Sequence, residues 1–217
     1  MRKIAIVFTV CIMTSMTSCG QSKNSLTCDD GVVINGVKWA TRNVDEFGTF
    51  AKNPENAGKF YQWNRKKAWN ATDTLVVDWD SSALVGDTWE KENDPCPKGW
   101  RVPTRTELQK LVATGSVLAN MNGVEGRLFG TVPNQIFLPI VGWRSASDGK
   151  FNNIGTWAYY WSSTQVDTEL AWLLSFVNFG NSNVFHGNRM WGVCLRCVSE
   201  ESTELKDEIR VMPWIEE

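Results

Sequence analysis

The chain has 217 residues, 42% of them hydrophobic, a net charge of -2 and one histidine. That length supports one domain with a real core. Mild acidity without a basic cluster argues against nucleic-acid binding. A lone His186 leaves little for a Ser-His-Asp triad or a His-rich zinc site.

Arg2 and Lys3 precede an apolar run from Ile4 to Met13, an n-region and h-region too short to span a bilayer. Met16-Thr17-Ser18-Cys19 resembles a lipobox, with Met16 where leucine is usual. On that likeness Cys19 is lipidated and begins the mature chain, which is membrane-anchored. An ordinary signal peptide cut nearby is the other reading, and both export the protein. The chain then divides into a signal peptide (1–18), a polar tether (19–30), a folded domain (31–198) and an acidic tail (199–217). Losing Arg2 and Lys3 takes the net charge from -2 to -4.

Val32 to Trp39 is a hairpin signal, two β-rich runs around Asn35-Gly36. Gly58 to Trp63 suits a short strand or turn. Asn64 to Glu92 has no sustained period and reads as a long structured loop carrying Trp69, Trp79 and Trp89. Within it, Asp73-Thr74-Leu75 resembles a short O-glycosylation sequence. The clearest local structure follows. Thr104 and Glu107 form a capping box, Pro103 keeps Val102 extended, and Leu108, Leu111 and Val112 fall at helical spacing. A helix from about Arg105 to Thr114 is predicted, with Gly115 as its stop.

Leu118 to Val132 reads as irregular. Ile136 to Arg144 is the most apolar run, a central strand whose Pro139 indicates an edge or a bulge. Asp148-Gly149 makes a turn. Ile154 to Thr164 is an aromatic-rich strand, Leu170 to Phe179 another, and Asn181-Ser182-Asn183 a turn. Val184 to Met190 leads to a closing strand, Gly192 to Val198, and the tail ends in an apolar patch around Trp214.

Cys28, Cys96, Cys194 and Cys197 remain after the signal and Cys19. In an exported protein an even set reads as disulfides. Cys194 and Cys197 lie three residues apart in a predicted strand, on opposite faces and about 10 Å apart, too far to bond each other. One therefore pairs with Cys96 and the other with Cys28. Cys194-x-x-Cys197 also spells a redox pair, but that chemistry uses a helix N-terminus and none follows here.

Several motifs in order carry a family likeness. Cys96-Pro-x-Gly-Trp-Arg-x-Pro-Thr-x-x-Glu107, Phe137-Leu-Pro-x-x-Gly-x-Arg144, Tyr160-Trp-Ser-Ser163 and Gly192-x-x-x-Arg-Cys-Val198 resemble the Fibrobacter succinogenes major paralogous domain, over about residues 31 to 198. The resemblance implies an exported protein of Bacteroidetes-type envelopes. It also implies an α+β, C-type lectin-like fold: a twisted antiparallel sheet, short helices and long loops. It implies a Cys96–Cys197 bridge, leaving Cys28–Cys194 as a second.

The likeness extends distantly to formylglycine-generating enzymes, which use a reactive cysteine pair. Calcium-dependent sugar binding by the C-type lectin route is not indicated. Val132-Pro133-Asn134 lacks the acidic residue, and Trp161-Ser162-Ser163 has neither Asn nor Asp. No cofactor or metal is called for. What remains is non-catalytic recognition of glycan or protein at the cell surface. Twelve tryptophans suit either pinned loops or sugar platforms, and pinning is the commoner role. The candidate ligand-binding residues are Trp69, Trp79, Trp89, Trp143, Arg144, Trp157 and Asn181. Trp100, Trp161 and Trp191 are assigned to the core. The alternatives are a structural part of a surface or fimbrial assembly and a divergent oxidoreductase.

Overall fold

The computed structural model describes residues 25–72 and 75–201. The signal peptide, the lipid site at Cys19, Asp73-Thr74 and most of the tail lie outside the described residues. In chain order the elements are β1 (Val32–Ile34), β2 (Val37–Trp39), β3 (Lys59–Tyr61), β4 (Ala68–Asn70), a one-turn 3-10 helix (Lys91–Asn93), β5 (Trp100–Arg101), α1 (Arg105–Val112), β6 (Ser116–Met121), β7 (Val124–Thr131), β8 (Asn134–Pro139), β9 (Trp143–Arg144), β10 (Phe151–Asn152), β11 (Trp157–Gln165), β12 (Leu170–Val177), β13 (Asn183–Asn188) and β14 (Val198–Ser199).

The strands form small antiparallel sheets, ordered β1-β2-β14-β5, β6-β7-β8 and β11-β12-β13, with two-stranded pairs β3-β4 and β9-β10. With one α-helix among the described residues, this is a β-rich α+β fold. The β1-β2 hairpin turns at Asn35 (φ 47°) and Gly36 (φ 75°), the positive pair a type I′ turn requires. The second and last strands meet where Trp39 of β2 pairs with Val198 of β14.

The β11-β12-β13 sheet is the centre, and both its faces contribute side chains to the core. Ala158, Tyr160, Leu174 and Phe176 join one apolar cluster with Leu108, Leu111 and Phe129. Trp161, Ala171 and Leu173 join the other with Trp63, Trp100 and Val193. In β12 Leu173 and Leu174 are buried in succession, one to each side, so strict period-two alternation is interrupted there.

Helix α1 is capped as the sequence predicts and is two residues shorter at its end. Thr104 Oγ1 accepts from the Glu107 amide at 3.3 Å, and the Thr104 amide donates to Glu107 Oε2 at 2.7 Å. Arg101 adds two charge-assisted bonds to the same carboxylate, at 2.9 and 2.7 Å. Burial pushes the Glu107 pKa up, but the Arg101 guanidinium and the Thr104 amide outweigh it, so the pKa lies below its usual value. The folded pKa is thus under the unfolded one. Its stabilisation is complete above about pH 5 and is lost as pH falls through the folded pKa. Glu107→Gln is expected to flatten the acid limb of a stability-pH profile. Thr104→Ala should cost about 1 kcal/mol in urea melts.

The predicted central strand Ile136 to Arg144 divides into β8, which ends at Pro139 at the edge of its sheet, and β9 in another sheet, and three further findings differ from the sequence reading. First, residues 118–132 are not irregular: they lie in the β6-β7 hairpin, closed by Asn122 (φ 52°) and Gly123 (φ 88°). Val117 and Leu118, adjacent in β6, are both exposed, so no period-two signal survives. Second, Gly192 to Val198 is not a continuous strand. It threads between sheets by single bridges, Gly192 to Arg144, Val193 to Tyr61 and Cys194 to Tyr160, before β14 pairs. Third, residues 25–30 are docked rather than a free tether, with Asp29 buried and paired to Arg42 at 3.1 Å.

The Cys96–Cys197 disulfide is closed across a sequence separation of 101. It indicates an oxidising, exported environment. The Cys28–Cys194 bridge is wrong. Cys28 is disulfide-bonded, but Cys194 is a free, buried thiol that packs in the first apolar cluster and contacts the Ala57 carbonyl at 3.6 Å. No helix among the described residues is long and apolar enough to cross a membrane.

Candidate binding face

The irregular segments around the central sheet are held by buried guanidinium groups as much as by tryptophan. Arg144 is 0% exposed. Its Nε donates to the Asn70 carbonyl at 2.8 Å, Nη2 to Thr72 at 2.9 Å and Nη1 to Gly149 at 2.7 Å. It ties the long loop to the β9-β10 turn, and burial removes it from the candidate ligand contacts. Arg189 likewise reaches the carbonyls of Gly86 and Thr168 and lies over Trp63, its Cζ 4.2 Å from the ring centre.

The loop tryptophans also have structural positions. Trp69 is buried in the first cluster and packs on Trp79 with ring centres 4.6 Å apart. The Trp79 indole donates to the Ala146 carbonyl at 2.9 Å. Trp89 packs edge-on to Trp63 at 5.4 Å and donates to the Asn93 carbonyl at 3.2 Å. These three pin the long loop and do not form a common surface with the residues of the second half.

Beside that loop is a cleft of about 240 Å³ whose lining includes Trp63, Arg65, Asp80, Ser82 and Arg189. Its charges are already matched. Arg65 pairs with Asp80 and bonds Ser82 Oγ at 2.9 Å, and the Arg65 hydrogen bond holds the Asp80 pKa down to about 2. The cleft offers a ligand few uncommitted polar groups.

The other candidates fall on one side of the β11-β12-β13 sheet. Register places Trp157 opposite Val177, Tyr159 opposite Ser175, Ser175 opposite Asn183, and Leu173 opposite Phe185. Partners directly across a ladder project to the same face. Trp143 and Trp191 pack against that side. Trp191 lies 4.5 Å from Trp143 and 5.7 Å from Tyr159, and Trp157 lies 5.9 Å from Tyr159. Trp157 is 36% exposed and Phe185 54%, while Trp143, Tyr159 and Trp191 are half-buried. Burial raises the Tyr159 phenol pKa, with a hydrogen bond to Ser175 acting the other way.

Trp191 is therefore only partly in the core, because Gly187 leaves space on β13 that its ring fills. Trp100 and Trp161 are buried as predicted. Asn181 is exposed in the β12-β13 connection. Sequence reasoning missed Tyr159 and Phe185. The available signal was charge: from Phe151 to Val166, and again from Leu170 to Asn188, there is no Asp, Glu, Lys or Arg. In a chain that is 21% charged, β11, β12 and β13 therefore carry no charged side chain of their own.

Such a face can stack apolar ring surfaces and offer amide and hydroxyl groups at Ser175, Asn181 and Asn183. No group of three or more His, Cys, Asp or Glu that could hold a metal ion occurs among the described residues. Comparison with protein-family models, with curated proteins and with solved structures finds no match to this chain.

Proposed function

We propose that this chain is an exported, lipid-anchored, non-catalytic binding protein of the cell envelope, with a C-type lectin-like domain of the major paralogous type. Its ligand, a glycan in preference to a protein, is held on the β11-β12-β13 face. The observation that carries the reading is the charge-free aromatic surface formed by Trp157, Tyr159 and Phe185 with Trp143 and Trp191 beside it. The Cys96–Cys197 bridge, which the family likeness implies, supports the fold assignment. The oxidoreductase alternative is disfavoured by Cys194. Its thiol is fully buried and burial pushes its pKa far above the usual value, so the nucleophilic thiolate is scarce at neutral pH.

The test is a glycan array followed by calorimetry on wild type, Trp157→Ala and Phe185→Ala. Each substitution is expected to weaken binding about tenfold or more, the size of a lost aromatic anchor. Retention of no glycan, or binding unchanged in both variants, removes the reading.

A further inference from the structure

The β6 strand lies at the edge of the β6-β7-β8 sheet. Its residues, Ser-Val-Leu-Ala-Asn-Met, include no charge and no proline, and its register with β7 runs without a bulge from Ser116 to Met121. These are the devices by which proteins usually protect an edge. Val117 is 58% exposed and Leu118 51%. The two-residue turn makes Met121 and Val124 a hydrogen-bonded pair, so Val117, Ala119 and Met121 spend their backbone groups on β7. The amides and carbonyls of Ser116, Leu118 and Asn120 therefore point away from β7, and the Ser116 carbonyl already accepts from Arg127 Nη2 at 3.4 Å. No backbone bond to another segment meets them among the described residues.

We propose that β6 pairs antiparallel with β6 of a second copy of this chain, about a two-fold axis at Ala119. Only one register pairs Leu118 and Asn120 wholly with each other. Leu118 then faces Asn120 of the other copy, and Asn120 faces its Leu118, giving four backbone hydrogen bonds. The smallest side chain of the strand, Ala119, meets itself at the axis. The strand is uncharged, so no like charges oppose. In the neighbouring strand Arg127 pairs with Leu118 and Glu125 with Asn120. Each cross-dimer row thus has Arg127 at one end and Glu125 at the other, opposite signs about 14 Å apart across three strand spacings. The product is a continuous six-stranded sheet. An extended segment of another protein would meet the same hydrogen bonds but not this self-complementary register, in which Ala119 meets itself and no like charges oppose.

The test uses the full chain as purified from the exporting cell. Ala119→Cys is expected to form a disulfide-linked dimer on mild oxidation, because a non-hydrogen-bonded pair sets Cα atoms about 4.5 Å apart. Val117→Cys is expected to stay monomeric on the same non-reducing gel, since its counterpart is displaced by four residues. In sedimentation velocity, Leu118→Lys with Asn120→Lys should weaken self-association at least tenfold. Leu118→Lys with Asn120→Glu should restore it to within about threefold, by setting ammonium opposite carboxylate. Both variants must keep the wild-type melting temperature. A wild type that is monomeric at about 0.5 mM, a dimer that survives the double-lysine change, or equal cross-linking at 117 and 119 would overturn the proposal. So would association only with a different protein.

Discussion

Replacing Cys96 and Cys197 together by alanine is expected to lower the stability of the domain by about 4–5 kcal/mol on the chain-entropy account. The bridge closes a separation of 101 residues, about half the chain, and joins the entry of α1 to the segment before β14. Without it the denatured ensemble regains the freedom of that whole loop, while the folded contacts hardly change. The loss compares with a total of about 5–15 kcal/mol for ordinary domains. Urea denaturation of wild type, the double variant and reduced wild type measures it. The double variant and the reduced protein should have lower midpoints and a larger m-value, since an unlinked chain exposes more surface. A loss under about 1 kcal/mol would mean that the denatured chain keeps the two segments together.

Asn43→Ala is expected to cost about 3–5 kcal/mol, as much as a substitution in the apolar core, because it leaves a buried charge without its main acceptor. Arg196 is 1% exposed. Its Nε and Nη2 donate to Asn43 Oδ1 at 3.0 and 2.7 Å, Nη2 also to the Phe137 carbonyl at 2.9 Å, and Nη1 to the Ala40 carbonyl at 3.2 Å. Burial pulls its pKa down to about 10, still well above neutrality, so the charge is retained. The Asn43 amide in turn donates to the Ala57 carbonyl at 2.9 Å. One neutral side chain thus orients the cation that joins β8 to the residues after β2. Arg196→Lys should not restore stability, since a single ammonium cannot reach the acceptors a planar guanidinium spans. Thermal melts of Asn43→Ala, Arg196→Lys and Arg196→Met check this. A lysine variant as stable as wild type would show that charge, and not fork geometry, is what the site needs.

Elements whose cause lies within a few residues could be read from the chain. The α1 capping box is one, since Thr104 and Glu107 satisfy each other's backbone donors without outside help. The Asn35-Gly36 hairpin is another, because only such residues accept two positive φ values in succession. The Asn122-Gly123 hairpin had the same turn chemistry. Its strands lacked alternation because β6 buries neither face, and the signal was lost in the surrounding glycines. The role of Arg144 was unreadable for a different cause. Its acceptors are the carbonyls of Asn70, Thr72 and Gly149, two of them more than seventy residues away. Nothing local marks an arginine as buried rather than presented to a ligand.

The candidate face divides in the same way. Trp143, Trp157 and Asn181 could be singled out by residue type, and the stretches without charge lie open in the sequence. Which rings share a surface depended on the β11-β12-β13 register, which sets Tyr159, Phe185 and Trp157 on one side and Tyr160 on the other. By itself the sequence determined the α1 unit, the hairpin at Asn35 and the positions of most strands, all governed by short-range sterics and hydrogen bonding, whereas the Cys96–Cys197 pairing came from the family resemblance and joins residues 101 apart. Only the tertiary structure decided that Cys194 stays a buried thiol, that arginines pin the loops, and which strand is left as an open edge. Those outcomes depend on which distant segments meet, and pairing between them is set by burial across the whole fold.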